Sequence, residues 1–277
     1  MQIDSTIFSE KCYKLNEIPS PDSYAQIISL VHKVITRSPV SAITGACFVS
    51  SIIGGNQGSS SDVDLVVTHK NNIGKVAEIL RQIVLEAAKL FVPFDYIPIN
   101  EKLKPFVLEK YIGTHFQKVI EYFYLNGGKI RGNVTRSFPN QGSFKNCALT
   151  YFAHKSKKLS TALIAYPSMS TDERMDILGD TLHSVTNGVR IFLAARGNEL
   201  AEVLSADKKK LLIMYEGEGR KWEVSHFQKV INIQKEYNDL LNEPTKDLRT
   251  YSMILKEITK MIPNTIDFLE TNFDHLG

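Results

Sequence analysis

The amino-acid sequence predicts an α/β unit that is followed by an all-α helical bundle. In the first part of the chain, β-prone apolar segments alternate with segments whose apolar residues have helical spacing. From about residue 147 to the end, helical spacing dominates. The 277 residues are enough for two domains, each with its own core. We expect these domains at 1–130 and 131–277, with a boundary between 113 and 146.

The α/β unit is predicted in the order helix, strand, strand, helix, strand. The first helix follows Ser20-Pro21-Asp22, where a serine and a proline are typical of a helix start. The strand candidates are 46–53, 62–67 and 91–99, and the second helix covers about 76–90. Residues 119–124 leave two interpretations open, either a helix that ends at Gly127 or a strand that turns at Asn126-Gly127. Residues 135–146 have the composition of a loop.

The helical half contains one particularly clear helix and two further ones. Ser170 and Glu173 have the spacing of a capping box at the start of the clear helix, and Gly197 follows its end. The last helix is expected to stop at Pro263, because proline lacks the N–H that a helix interior needs.

Composition and charge narrow the functional classes. The chain is 43% hydrophobic and 23% charged, which is typical of a soluble globular protein. Its formal charge of +3 permits an anionic ligand such as a nucleotide but gives no strong nucleic-acid signal. The lysine runs 155–158 and 208–210 are predicted to be solvated faces.

The cysteines and the absence of apolar runs predict a cytoplasmic protein. Cys12, Cys47 and Cys147 are far apart and odd in number, so neither a disulfide framework nor a zinc site is expected. No segment reads as a secretory signal, and none reaches the ~18–20 apolar residues that a membrane span needs.

Three aspartates form the candidate site. Asp62 and Asp64 lie at i and i+2 of a predicted strand, so their side chains share one face, opposite Val63, Leu65 and Val67. Carboxylate oxygens are the ligands that hard cations prefer, and Asp95 on the next predicted strand could supply a third. An Asp-x-Asp pair alone is common by chance, and solvated strand-end carboxylates would give the same pattern.

The residues around this pair resemble a known signature. Residues 49–66 read VSSIIGGNQGSSSDVDLV. They resemble the signature of the DNA polymerase beta-like nucleotidyltransferase superfamily, in which an apolar residue precedes Gly-Ser and Ser-Asp-apolar-Asp-apolar follows about ten residues later. Ser51 falls on the signature serine, Gly55 on a glycine four residues on, and Ser61 opens the acidic motif. Where the signature has glycine before its serine, this chain has Ser50.

The resemblance covers about residues 25 to 115 and implies a mixed sheet and a two-metal site. It implies that Asp62, Asp64 and Asp95 bind two Mg²⁺ ions, for which Mn²⁺ could substitute. It also implies that Asp95 or a nearby carboxylate helps to deprotonate the acceptor hydroxyl. The nucleotide-binding residues implied by the resemblance are Ser50, Ser51, Gly55 and Ser61.

With its helical second half, the chain resembles the small antibiotic nucleotidyltransferases of the kanamycin and streptomycin type. That resemblance implies transfer of a nucleoside monophosphate, with AMP from ATP expected, to a hydroxyl of a small molecule. Two alternatives stay open: transfer to a protein or RNA, and a degenerate domain that binds nucleotide or a partner without turnover. Arg131, Arg136 and Lys145 could reach triphosphate oxygens, but ordinary surface charge is the favoured interpretation.

Overall fold

The computed structural model describes residues 13, 14, 16–49, 62–70, 72–102, 114–135, 144–243 and 247–277. These residues form two compact units. One contains the sheet and the described residues from 17 to 135, and the other is all-helical and contains those from 144 onward. An α/β unit followed by a helical region is the fold class that the sequence predicts.

The described residues 13, 14 and 16, which precede the first helix, belong to the helical unit. The hydroxyl of Tyr251 donates a hydrogen bond to the carbonyl of Tyr13, and Tyr13 N–H donates to the hydroxyl of Tyr237. Lys14 forms an ion pair with Asp172, with 2.6 Å between Nζ and Oδ1. This N-terminal stretch therefore packs on helices that follow it by more than a hundred residues.

The first unit is built on a four-stranded mixed sheet. Its elements are α1 (Pro21–Arg37), β1 (Gly45–Phe48), β2 (Val63–His69), α2 (Ile73–Lys89), β3 (Phe94–Asn100), α3 (Thr114–Phe123) and β4 (Lys129–Arg131). The strand order is β3-β2-β1-β4. Strands β2 and β3 are parallel, whereas β1 is antiparallel to both of its neighbours.

The two faces of the sheet carry separate apolar cores. Val63, Leu65 and Val67 point into the core that the sheet forms with α1 and α2. Val66 and Ile99 point to the other face and pack with residues that include Ile120 of α3. Strand alternation therefore divides the sheet as the sequence predicts, and Asp64 lies on the face that α3 covers.

Strand β3 begins three residues later than predicted. Phe91, which follows the C-cap residue Leu90 of α2, adopts a positive φ of 56°, and Val92 N–H donates to the carbonyl of Ala87 at 2.9 Å. Residues 91–93 therefore end the helix instead of starting the strand. Pro98 lies within β3, at an edge of the sheet, where a missing N–H is tolerated.

Residues 119–124 are helical, and a short strand follows that the sequence did not predict. Gly127, with a φ of 99°, ends the helical segment through a wide turn. Strand β4 then pairs with β1. Gly132 follows with a φ of 55°, and a Cβ atom there would lie 2.1 Å from the carbonyl oxygen of Thr44. Only glycine fits at this close approach.

Arg131 has a structural role in the first unit. Its guanidinium donates to the carbonyls of Thr36 and Ser38, with N–O distances of 2.7 Å each. The last carbonyls of a helix have no partner within the helix, so Arg131 satisfies the C-terminal end of α1. The side chain is thereby committed to the fold, which is a more specific role than ordinary surface charge.

We expect Arg131→Met to lower the free energy of unfolding by about 1–3 kcal/mol, because it removes charge-assisted hydrogen bonds to backbone oxygens. Denaturant titration measures the loss. Lys129→Met is the matched control, since Lys129 lies on the same strand with an exposed side chain. Equal stability of the two variants would contradict the capping role.

The second unit is all-helical. Its helices are α4 (Phe144–Ala165), α5 (Thr171–Ala195), α6 (Leu200–Ser205), α7 (Lys208–Glu216), α8 (Lys221–Asn242) and α9 (Leu248–Leu276). Helix α5 is buried along most of its length and contacts α4, α7, α8 and α9. The predicted capping box of Ser170 and Glu173 starts it, and Gly197 follows its end with a φ of 100°.

The prediction that Pro263 stops the last helix is wrong. Helix α9 continues through Pro263 to Leu276. Pro263 lies on the exposed side of the helix, where water can bind the carbonyl that loses its partner. Met261 and Phe268 are fully buried on either side of it. Packing on both sides outweighs the local penalty of about 3 kcal/mol.

None of the helices in the described part of the chain has the length and apolar character needed to cross a bilayer.

Members of both lysine runs form ion pairs. Lys155 and Lys158 of α4 pair with Asp180 of α5, the first with 2.9 Å between Nζ and Oδ1. Lys208 is buried, and Lys210 pairs with Glu202 at 3.1 Å. Lys155 and Lys208 are therefore largely removed from solvent, whereas Lys158 and Lys210 form their ion pairs on solvated surface, as predicted for these runs.

The ion pair of Asp180 predicts a pH-dependent stability. Burial alone would raise the pKa of Asp180, but the ammonium groups of Lys155 and Lys158 together hold it below its ordinary value. A lowered folded-state pKa means that the stabilisation is present above the unfolded-state value of about 3.9 and is lost as the pH falls through the folded-state value.

We therefore expect Asp180→Asn to lower the free energy of unfolding by about 1.5–3 kcal/mol at pH 7 and by less at about pH 3, below the unfolded-state pKa. Denaturant titrations at both pH values test this. Asp176→Asn, an exposed carboxylate on the same helix, is the control. A loss that is the same at both pH values would exclude the ion pair as its cause.

Candidate metal centre

Strand register brings the three predicted aspartates together. Asp62 immediately precedes β2, Asp64 is the second residue of β2, and Asp95 is the second residue of β3. In the parallel pairing of these strands, Asp64 lies directly opposite Asp95. Asp62 is two residues before Asp64 and shares its face. The three side chains therefore meet on the face of the sheet that α3 covers.

The distances between these carboxylates fit a metal ion. One carboxylate oxygen from each aspartate can be chosen so that all three lie within 4.8 Å of one another. Mg²⁺ binds oxygen at about 2.1 Å, so oxygens on opposite sides of one ion are about 4.2 Å apart. A small closure of the side chains therefore suffices to hold a cation. Among the described residues, these aspartates are the one group of three or more potential ligands at such distances.

The three aspartates differ in their exposure to solvent. Asp62 and Asp64 are half-buried, whereas Asp95 is exposed. Like charges directly opposite each other on adjacent strands are destabilising. Asp64 and Asp95 have this arrangement, so a bound divalent cation would remove a repulsion that the fold otherwise contains.

Cys47 lies on the same face of the sheet but belongs to its apolar core. The side chain is fully buried, and its thiol donates a hydrogen bond to the carbonyl of Phe48. Burial raises the pKa of the Cys47 thiol to about 12, so the thiol is neutral at physiological pH. Neither a nucleophile nor a metal ligand is expected there, since both roles need the thiolate.

A second polar group lies at the other end of β2 and β3. Glu101 accepts a hydrogen bond from the hydroxyl of Thr44 at 2.6 Å, and its N–H donates to the carbonyl of His69. Burial lowers the pKa of His69, while the charge of Glu101 opposes that shift. The backbone N–H of Asn72 donates a hydrogen bond to Nδ1 of His69, which can accept it because the imidazole is neutral. Glu101 therefore belongs to this hydrogen-bonded group and is not part of the aspartate cluster.

The predicted nucleotide-binding residues Ser50, Ser51, Gly55 and Ser61 lie outside the described residues, as does Arg136. The last described residue before them is Val49, whose N–H donates to the carbonyl of Asp64 at 3.0 Å. Strand β1 therefore leads the chain to the side of Asp64. Lys145 is exposed near the start of α4 in the helical unit.

One buried polar residue of α3 was not among the predicted site residues. Gln117 of α3 has a fully buried side chain. In the sequence, nothing distinguishes this single glutamine from a surface residue of a helix. Its burial can be recognised only once the packing of α3 is known.

Comparison of the chain with protein-family models, with curated proteins and with solved structures finds no match.

We expect divalent cations to stabilise the protein through the aspartates. At a Mn²⁺ concentration of about 100 times Kd, the free energy of unfolding should rise by about 2.7 kcal/mol. Asp64→Asn should abolish most of this rise and, without metal, should be at least as stable as the wild type because one repulsion is removed.

Thermal unfolding with and without Mn²⁺ measures both effects. Glu78→Gln, an exposed carboxylate on α2 at the other face of the sheet, is the matched control and should respond to Mn²⁺ like the wild type. If Asp64→Asn gains as much stability from Mn²⁺ as the wild type, the cation binds elsewhere.

Proposed function

We propose that this chain is a metal-dependent nucleotidyltransferase. The observation that carries the proposal is the pairing of Asp64 with Asp95 on adjacent parallel strands, with Asp62 beside them on the same face. The resemblance of residues 49–66 to the nucleotidyltransferase signature supports the same assignment. In the sequence, the signature runs directly into Asp62 and Asp64, which belong to the potential metal site of carboxylates.

The reaction follows from the chemistry of the carboxylates. Two Mg²⁺ ions, when bound, neutralise triphosphate charge and hold the acceptor oxygen in line with the α-phosphorus. Asp62 and Asp64 would bind both ions, and Asp95 would bind the one nearer the acceptor. The acceptor hydroxyl oxygen bonds to the α-phosphorus, the bond to pyrophosphate breaks, and the hydroxyl proton passes to Asp95 or a nearby carboxylate.

The exposure of Asp95 agrees with this division of roles. An acceptor hydroxyl has to reach the carboxylate that takes its proton, and Asp95 is the exposed member of the group. Asp62 and Asp64, which are half-buried, are better suited to fixed ligation. The proposed substrates are ATP as donor of AMP and a small molecule with a free hydroxyl as acceptor.

A non-catalytic nucleotide-binding domain is the second candidate, and Ser50 is the observation that favours it. The family signature has glycine at this position, where the backbone approaches the triphosphate, and a side chain could crowd that approach. Transfer to a protein or RNA acceptor is a variant of the first candidate and is separated from it by the assay below.

Incubation with α-labelled ATP, CTP, GTP and UTP in the presence of Mg²⁺ and hydroxyl-bearing small molecules tests the proposal. We expect pyrophosphate release and a labelled small-molecule product with ATP. Asp64→Asn should lower the rate at least about 100-fold, because it removes a key electrostatic contact in the transition state. Glu78→Gln should retain the wild-type rate.

Other results of this assay would favour the alternative functions. Label on protein or RNA would identify a macromolecular acceptor. Binding of ATP without turnover would favour the non-catalytic domain, and full activity of Asp64→Asn would exclude the two-metal mechanism.

A further inference from the structure

Gln117 is a buried polar side chain that forms no side-chain hydrogen bond with the described part of the chain. Its side chain has no exposed surface, and neither the amide nitrogen nor the amide oxygen has a hydrogen-bond partner among the described residues. A carboxamide offers two donors and one oxygen acceptor. Gln117 therefore keeps its whole set of hydrogen-bonding groups away from both water and the described protein atoms.

Other buried polar side chains of the same unit are paired. The hydroxyl of Thr68 lies 2.9 Å from that of Thr44, and the hydroxyl of Ser23 lies 2.9 Å from that of Ser20. Leaving a buried polar group without a partner costs about 1–3 kcal/mol. Methionine or leucine would fill the position without this cost, so stability does not explain a glutamine here.

The position of Gln117 relates it to the aspartates. Ile120 follows it by three residues and so lies on the same side of α3. Ile120 is buried in the core that contains Val66 and Ile99, on the face of the sheet that carries the aspartates. Gln117 therefore belongs to the layer between α3 and this face.

We propose that Gln117 binds the adenine base of a nucleotide whose phosphates are held at the aspartates. The inference rests on the proposed function and adds a base-recognising residue to it. The N7 and N6 amino group of adenine form an acceptor–donor pair, and a glutamine carboxamide binds this edge with two hydrogen bonds. Guanine presents two acceptors, N7 and O6, at the corresponding edge, so the carboxamide oxygen would face an acceptor.

The length of the side chain allows this contact. Glutamine has three rotatable side-chain bonds, and a change of rotamer moves the carboxamide while α3 stays in place. The energetic cost of the unpaired amide in the free protein is then recovered when the base supplies the missing partners.

Replacement of the amide by an apolar group of similar length tests the proposal. The Kd values of wild type and Gln117→Met are measured calorimetrically for ATP, GTP and inorganic tripolyphosphate, each with Mn²⁺. We expect about tenfold weaker ATP binding in the variant, the scale of a lost bidentate base contact. Tripolyphosphate binding should be unchanged because this probe has no base, and the preference for ATP over GTP should fall.

The melting temperature supplies a second readout. Gln117→Met should melt at the wild-type temperature or above it, because a buried unpaired amide has been removed. Gln82→Met is the matched control, since Gln82 is an exposed glutamine on α2 and its loss should change neither binding nor melting.

The binding and folding measurements distinguish failure of this inference from failure of the proposed function. Unchanged ATP binding in Gln117→Met, with a wild type that binds ATP, overturns this inference and leaves the proposed function standing. Equal weakening of ATP and tripolyphosphate binding also overturns it, because the base would not be the group recognised. A wild type that binds neither compound overturns both proposals. Failure of both Gln117→Met and Gln117→Leu to fold would show that the amide serves the fold, which likewise overturns the inference.

Discussion

The in-register parallel pairing of β2 with β3 is the constraint on which the candidate site depends. It sets Asp64 opposite Asp95. A slip of one residue would send one of the two carboxylates to the other face, because side chains alternate along a strand. Apolar packing on both strands favours this register, since Val63 and Leu65 of β2 are fully buried on the opposite face and Ile99 of β3 is fully buried on the face of the aspartates. The hydrophobic core beneath α1 and α2 therefore positions the carboxylates above it.

Which parts of the fold and of the candidate site could be predicted from the sequence depends on how far apart in the chain the interacting residues lie. The shared face of Asp62 and Asp64 follows from strand periodicity, and Asp95 followed from the strand–helix–strand order together with the family resemblance. Strand β4 has only three residues, too few for a periodic signal. The role of Arg131 depends on backbone carbonyls some ninety residues earlier in the chain, which no local pattern reveals. Pro263 misled the prediction because packing outweighed a local rule.

Two polar features of the sheet unit are not explained by apolar packing, namely the aspartate cluster and Gln117 of α3. The aspartates place like charges within 4.8 Å of one another, and Gln117 buries an amide without a partner among the described residues. Natural sequences usually agree with the fold at every local level, and departures concentrate where function requires them. That both features occur in the sheet unit supports ligand binding by this unit more strongly than either does alone.

The ionisable groups of the helical unit are used differently. Asp180 pairs with lysines, and the carboxylate of Glu223 accepts the N–H of Arg220 at the start of α8. Burial lowers the pKa of His226 to about 4, so its imidazole is neutral at physiological pH and lies 3.1 Å from the hydroxyl of Thr265. These groups stabilise helix ends and helix contacts. Among the described residues, the one cluster of potential metal ligands lies in the sheet unit, so the proposed chemistry depends on that unit.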